Sequence, residues 1–389
     1  MLNYPFDFNK ISGQLVERAN RFVVRVEVNG RLEEAYLANP GRLWELLLPG
    51  TELLLTPARS LKAKYDYTVM ACKKEGRFIL LHTHLTNKII GSLINSGLIE
   101  AFSRYRVIKE EPAYENHRFD LLLENRQDGS PYYLEIKSCT LFENRTAMFP
   151  DAVTGRGTNH LYKLSELAAR GLKTGCLFVV MNPVVDYFMP AYHIDLTFAR
   201  AFLLVRDAVN LQALALGFDP DFRKVNLVKP VTIPYPVLEK ELHDRGVYML
   251  LIEIDKSISI NIGSLGQVEF QKGYYVYIGS AMNSLSKRIA RHRRKKKVKR
   301  WHIDYLSAEA ASINPVPINT GERMECELAK NVQEITDSSV HRFGSSDCNC
   351  PSHLFYFATE PLKNWLFIKL IQNYRILRLE EKISEGNSD

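Results

Sequence analysis

The 389-residue chain has no apolar run approaching the roughly 20 residues that a membrane-spanning helix needs. No membrane segment is expected. Cysteine is scarce: Cys72, Cys139, Cys176, Cys326, Cys348 and Cys350 are scattered through a chain without a signal-peptide pattern. That spread argues against a disulfide framework and for reduced thiols in a cytoplasm. An acidic excess is also lacking, since the formal net charge is +7, which points toward an anionic partner. With 46% hydrophobic and 24% charged residues the composition is that of a folded globular chain, and its length predicts two or three domains.

The first 84 residues alternate on a strand period. Arg21 to Val28 runs into the turn Asn29-Gly30, and Glu33 to Leu37 follows, which predicts a β-hairpin. Asn39-Pro40-Gly41-Arg42-Leu43 breaks the pattern, and a short helical piece from Trp44 to Leu48 ends at Pro49-Gly50. Strands recur at Glu52 to Thr56, Asp66 to Lys73 and Phe78 to His82. So many short strands suggest a small barrel of OB type, a fold that takes up nucleic acid through aromatics and cations on one face. Arg21, Phe22, Asn39 and Arg42 are the candidate contacts. The alternative puts Phe22 in the core and makes Asn39 to Leu43 a structural turn.

From Leu85 the period changes. Thr86-Asn87 followed by Ile89, Ile90, Leu93, Ile94 and Leu98 predicts an N-capped helix closing near Ser96-Gly97. Tyr105 to Glu110 reads as a strand. Arg118-Phe119-Asp120 then opens the apolar run Leu121 to Leu123, which breaks at Asn125 to Pro131 and resumes as Tyr132 to Ser138, a second hairpin. Strand alternation puts Glu135 and Lys137 on one face, and pairing across the turn brings Asp120 close to Glu135. Two carboxylates and an ammonium on a half-buried face are costly unless they pair or bind a cation. Mg²⁺ or Mn²⁺ resolves that conflict, with Asp120 and Glu135 as metal ligands and Lys137 holding or deprotonating a water for phosphodiester attack. The bland reading is an exposed Glu135–Lys137 ion pair. Beyond the hairpin, a helix over Leu161 to Ala168 stops at Gly171, and Thr174 to Met181 reads as a buried central strand. Arg156 and His160, four residues apart, face a similar direction and could clamp a phosphate. Alternatively Asp151 caps its loop and Arg156 neutralises a carboxylate.

The order R-F-D, then E-I-K-S-C-T-L, then Phe149 to Leu161 resembles the sugar fermentation stimulation protein family over about residues 1 to 230. The resemblance implies an N-terminal OB-type barrel joined to a domain like the P-D-(D/E)-x-K nucleases, and an association with DNA. Asp120, Glu135 and Lys137 match the nuclease motif, with Phe119 in place of its Pro. Arg21 and Phe22 fall in the family's R-x-N-R-F motif, and Asn39 and Arg42 in N-x-G-R-L. The resemblance also favours a site role for Asp151, Arg156 and His160.

Pro230, Pro234 and Pro236 mark a stiff connector. Beyond it, Gly246 to Ile252, Ile258 to Ile262 and Gly273 to Ala281 read as strands, followed by a helix over Leu285 to Arg300. The run 286 to 300 carries ten Lys or Arg, so the rest of the chain is net acidic. Arg291, Arg293, Arg294 and Lys295 in it are candidates for phosphate contacts. At 100° per residue Leu285, Arg288, Ile289 and His292 fall within about one 100° arc, so Arg288 and His292 flank the packed face and can meet Tyr248 and Tyr277. The ensemble, with its ending G-x-S-D-C-x-C-x-S-H-L, resembles the GIY-YIG nuclease superfamily over roughly residues 241 to 357. That resemblance implies that Tyr248, Tyr277, Arg288 and Glu325 act around one divalent metal held by Glu325, with Glu327 a competing choice. Cys348, Cys350 and His353 lack a clear fourth ligand for zinc, so a turn tying Asp347 and His353 into the active face is expected.

The reading is a multidomain α/β and α+β protein: an OB-type β-barrel (1–84), a P-D-(D/E)-x-K, restriction-endonuclease-like mixed sheet with flanking helices (85–229), a Pro-rich linker (230–240), a GIY-YIG-like α/β domain (241–360), and a C-terminal helix whose polar tail from Glu380 frays (361–389). A cytoplasmic Mg²⁺- or Mn²⁺-dependent nuclease is expected, with DNA as partner, RNA not excluded, no membrane and a possible homodimer. The alternative is a non-catalytic DNA-binding regulator of sugar (maltose) metabolism genes.

Overall fold

The computed structural model describes residues 8–58, 62–115 and 117–386. They form two compact units, 1–235 and 236–389. The first unit opens with strand Ile11–Asn20, which pairs with Val23–Val28 on one side and Glu52–Pro57 on the other. Its polar, half-exposed residues hid it from an apolar-period reading. The hairpin Val23–Val28/Arg31–Leu37 turns at Asn29 and Gly30, both at positive φ (50° and 76°), the conformation that this dipeptide accepts at low cost. Parallel pairing of Arg31–Leu37 with Tyr67–Lys74 closes five strands into a barrel, and Arg77–Leu80 extends it. Trp44 to Leu48 is not helical; the chain makes only a turn on the Leu43 carbonyl. Pro49-Gly50 leaves too little chain for the costly helical nucleus to propagate.

The second half of the unit is a six-stranded mixed sheet. Pro131–Cys139, Lys173–Val180 and Asn210–Phe218 lie parallel at its centre, while Leu121–Asn125 and Tyr105–Glu110 on one side and Val225–Val231 on the other run antiparallel. Lys173–Val180 is buried at every position but its first, as a central strand covered on both faces must be. Helix Gly155–Ala169 packs on that strand, and helix Thr86–Asn95 packs beside the Tyr105–Glu110 strand. Thr86 is the first residue of its helix rather than its cap; Leu85 holds the cap position without a side-chain bond, and a short 3₁₀ turn at Thr83–Leu85 leads in. The helix closes as predicted at Gly97, whose φ is 68°. The expected linker is much shorter than 230–240. Pro230 lies in an edge strand, where a missing N–H costs no ladder bond, and Pro236 sits in the first turn of helix Tyr235–Glu241, where the N–H would be unpaired anyway.

In the second unit Gly246–Ile254 is the pivot of a five-stranded antiparallel sheet. It pairs with Ser312–Asn319 and with Gly273–Ala281, and the latter with Leu354–Phe357. Pro315 and Pro317 disguised the edge strand Ser312–Asn319 in the sequence. The helix expected over 285–300 ends at His292. Beyond it Lys297 turns back onto the His292 carbonyl and Ser307 Oγ, and a separate helix forms over His302–Glu309. Continuing the first helix would have stacked like charges at successive turns. The tail does not fray at Glu380: helix Arg378–Gly386 buries Leu379 and Ile383, and Arg378 and Lys382 pair with Glu241. Residues 387–389 lie outside the described residues.

Candidate functional site

The hairpin of the mixed sheet builds the first centre. Leu121 pairs with Leu134, which sets Asp120 opposite Glu135 at the mouth of the two strands. Asp120 Oδ2 accepts the Ile136 backbone N–H at 2.6 Å and Oδ1 accepts from Asn87 Nδ2 at 2.7 Å. Asn87 is thus spent on the site instead of capping its helix, a role that periodicity could not reveal. Glu135 is only 3% exposed. Its Oε1 accepts from Lys137 Nζ and His160 Nδ1, while its Oε2 is buried with no partner among the described residues. Arg156 Nε donates to the other His160 nitrogen at 3.3 Å, which fits a neutral ring whose Nδ1 carries the proton. Phe119, where the motif has Pro, is buried with its ring edge-on to His160 and Tyr133.

The electrostatics follow from this packing. Burial, and then the Glu135 charge, push the Asp120 carboxyl up to about 6. Burial also opposes charge on Glu135, but His160 and Lys137 outweigh it and hold the carboxyl below its ordinary value. Lys137 resists its own desolvation because Glu135 faces it, and its pKa is raised. A charged Lys137 is a hydrogen-bond donor, and it can take a proton from water only after giving up its own. A buried carboxylate oxygen with no donor, beside a second carboxyl of raised pKa, suits a hard divalent cation.

Other predicted contacts divide. Arg21 and Phe22 are exposed, Phe22 at 45%, so Phe22 is not core. Asn39 is buried and its Oδ1 accepts the Gly41 N–H, which makes it a structural turn and not a nucleic-acid contact. Arg42 stacks on Trp44 and faces Asp151, which itself bonds the backbone of Arg42 and Leu43; that guanidinium is largely consumed inside the fold. A side chain at Gly41 would collide with the Asp151 carboxylate. Arg18, the first residue of the R-x-N-R-F motif and on the first barrel strand, donates to the carbonyls of Arg42, Arg21 and Asn39 and locks the same loop. His160 is buried between Glu135 and Arg156 and offers no free face to a phosphate, whereas Arg156 is exposed.

The second centre lies on the antiparallel sheet. Tyr248 and Tyr277, on neighbouring strands, have ring centroids 6.4 Å apart. Tyr248 Oη bonds His292 Nε2 at 2.8 Å, so the helical arc does deliver His292 to the tyrosines. Gly279 is required there, because a Cβ would fall 2.5 Å from Tyr248 Oη. Burial raises both tyrosine pKa values and, with Lys297, lowers His292 to about 4, so all three groups are neutral near pH 7. Arg288 lies over Trp301, with its guanidinium carbon 4.4 Å from the ring centroid. Arg291 also stacks on Trp301 and grips buried Asp304 through two bonds of 2.7 and 2.8 Å. Arg291 is therefore structural, a correction to its phosphate-binding role, while Arg293, Arg294 and Lys295 are exposed. Asp304, missed in the sequence, is buried, yet bonds from Arg291 and the Arg300 and Trp301 N–H groups take it down to about 2. Glu325 accepts from Ser280 Oγ and from His353 Nδ1 at 3.2 Å, whereas Glu327 accepts from Tyr374, in the segment just before helix Arg378–Gly386. Of the two, Glu325 is the carboxylate that faces the tyrosines.

A closed OB barrel, a restriction-endonuclease-like mixed sheet and a GIY-YIG-like α/β domain define a multidomain protein of nuclease-related folds. Residues 16–81 match the SfsA N-terminal OB domain, 84–222 the sugar fermentation stimulation protein RE domain, and 247–375 a domain of unknown function, DUF123. A sugar fermentation stimulation protein homolog of Clostridium tetani is 34% identical over 221 residues, 57% of this chain and 95% of that protein. A Methanosphaera stadtmanae homolog is 37% identical over 196 residues, 49% of this chain and 81% of the relative. The structure of Pyrococcus furiosus SfsA in complex with Ca²⁺ is similar at 27% identity and TM-score 0.53, covering 60% of this chain and 97% of that one. The chain belongs to the sugar fermentation stimulation protein family and carries, in addition, a C-terminal DUF123 domain. No helix among the described residues is long and apolar enough to cross a membrane.

Proposed function

We propose that the protein is a divalent-metal-dependent nuclease that hydrolyses phosphodiester bonds in DNA at the Asp120–Glu135–Lys137 centre. The observation that carries this reading is the buried, unpartnered Glu135 Oε2 beside Asp120. Asp120 and Glu135 hold the cation, Mg²⁺ or Mn²⁺, and the similar Pyrococcus furiosus SfsA was solved in complex with Ca²⁺, which supports divalent-metal use in this fold. The metal supplies a polarised phosphoryl oxygen and an acidified water. Lys137, kept charged by Glu135, donates to the attacking water or to the developing phosphorane charge. His160 and Arg156 fix Glu135 in place, and exposed Arg156 also offers charge to a neighbouring phosphate. Arg21 and Phe22 on the barrel, and Arg293, Arg294 and Lys295 on the second unit, supply cations and an aromatic face for nucleic acid.

A second reading, a non-catalytic DNA-binding regulator of sugar metabolism, draws support from Asp120, whose two oxygens already have protein donors. Labelled single- and double-stranded DNA incubated with wild type, Lys137→Ala and Tyr277→Phe, in Mg²⁺, Mn²⁺ or EDTA, separates the two. Metal-dependent cleavage lost in Lys137→Ala is the expected result. Binding without cleavage on every substrate moves the assignment to the regulator.

A further inference from the structure

Four groups outside the mixed sheet come together that the sequence keeps apart. Cys326 lies in the first turn of helix Glu325–Gln333, and Cys348, Cys350 and His353 lie in the loop before strand Leu354–Phe357. Their three sulfurs and one ring nitrogen all fall within 4.8 Å of one another. The C-x-C-x-x-H spacing looked one ligand short; the fold supplies it as Cys326, from an element that sequence spacing could not connect.

We propose that Cys326, Cys348, Cys350 and His353 bind one structural zinc ion, with Glu325 positioning the His353 ring. Zinc takes four N and S ligands in a closed tetrahedron. At metal–ligand distances of ~2.0–2.3 Å such a tetrahedron places ligand atoms roughly 3.5–3.8 Å apart. Cys348 Sγ and His353 Nε2 are already 3.5 Å apart. His353 is 2% exposed, and its Nδ1 lies 3.2 Å from Glu325 Oε1. With its Nδ1–H donated to the carboxylate, the His353 ring turns its Nε2 lone pair toward Cys348 Sγ, which can meet it as a thiol S–H donor or, once that thiol is deprotonated, as a fellow ligand of one metal ion. A ligating imidazole whose second N–H rests on a carboxylate is the usual orientation device at zinc.

The placement has a consequence for the tyrosine centre. Glu325 also accepts from Ser280, on the strand that carries Tyr277, and the ligand loop passes over Tyr277 at Gly344, where a Cβ would fall 2.9 Å from that ring. Zinc would pin this loop, and through His353 it would hold Glu325, the carboxylate that faces the tyrosines. The inference stands whether or not either centre cleaves DNA.

The test is metal content of the 389-residue chain, expressed with zinc in the medium, purified with reductant and freed of loose ions by gel filtration. One zinc per chain is expected in wild type and in Glu135→Gln. Cys326→Ser and Cys350→Ser should fall well below that. Because these variants can misfold, reduced metal-free wild type is also titrated with Co²⁺, where thiolate-to-cobalt charge transfer and the intense visible bands of a tetrahedral site are expected. Glu325→Gln should keep the cobalt spectrum but weaken zinc affinity by ~10–100-fold, as loss of such a partner does elsewhere. Wild type without zinc and without the cobalt bands overturns the proposal, as does zinc retained in the Cys326→Ser/Cys350→Ser double variant, or a disulfide among the three cysteines in reduced protein. Unchanged zinc affinity in Glu325→Gln overturns the role of Glu325.

Discussion

The two centres handle buried polar groups in opposite ways. On the mixed sheet two carboxyl groups meet across a hairpin, one raised to about 6 and the other with an oxygen that has no donor. On the antiparallel sheet two tyrosines and a histidine lowered to about 4 are neutral, buried Asp304 is charged but held by Arg291 and two backbone N–H groups, and Glu325 already has two donors. Among the described residues the first centre leaves a carboxylate oxygen without a donor, whereas the second leaves a neutral ring nitrogen, His292 Nδ1, without a partner, which costs less. Charge that a fold leaves uncompensated marks where a metal does the most for it.

The largest expected effect would break this contrast at Lys137. Lys137→Ala should lower metal-dependent cleavage by ~10²–10³, the usual loss when one charge-stabilising donor is removed, with DNA affinity retained in a binding assay. If Tyr277→Phe abolishes cleavage instead, the neutral centre is the working one. Next comes pH. Metal binding needs ionised Asp120, so affinity for Mg²⁺ followed by calorimetry should fall about tenfold per unit as pH drops below the value of about 6. A flat profile between pH 5 and 7 (assay values, chosen to span about 6) would mean that Asp120 is not a ligand.

A smaller effect should appear in stability. A carboxyl raised in the folded state favours folding below its unfolded value near 3.8 and loses that contribution as pH rises through about 6. In EDTA above that pH, Asp120→Asn should therefore be more stable to unfolding than wild type, by on the order of 1–2 kcal/mol, with Asn87 flipping its amide to face the new NH₂. Added divalent metal should stabilise wild type and not the variant. The smallest effect concerns the exposed cations. Replacing Arg293, Arg294 and Lys295 with Ala should weaken DNA binding evenly across sequences and lower the salt slope by about 1 for each phosphate that is no longer neutralised. Arg291→Ala should act mainly on thermal stability, because it leaves the buried Asp304 without its bidentate partner.

How far the sequence reached depended on the range of each signal. Local patterns carried: Asn29-Gly30 predicts the barrel hairpin, and the break at Asn125 to Pro131 predicts the one that brings Asp120 to Glu135. A helical arc of four residues delivered His292 to Tyr248. Patterns that rely on what stands opposite did not carry. Arg42 and Arg291 look like free cations in the bare sequence, and only the fold shows Asp151 and Asp304 facing them. His160 looked like a phosphate ligand until its ring was found between Glu135 and Arg156. No strand could be read over prolines 315 and 317, because their tolerance depends on the strand being an edge, a property of the sheet and not of the segment.

The sequence by itself determined the strand and helix periods, the two hairpins, the motif residues Asp120, Glu135, Lys137, Tyr248 and Tyr277, and the concentration of basic charge at 286–300, and left Glu325 and Glu327 as alternatives. The tertiary structure decided which charges are spent and which are spare. It set Asn87 on Asp120, left Glu135 Oε2 without a donor, and brought Cys326 to Cys348, Cys350 and His353. The reason is physical: period and turn chemistry act over a few residues and are written in order along the chain, whereas desolvation and ion pairing depend on distances through space that only the packed fold creates.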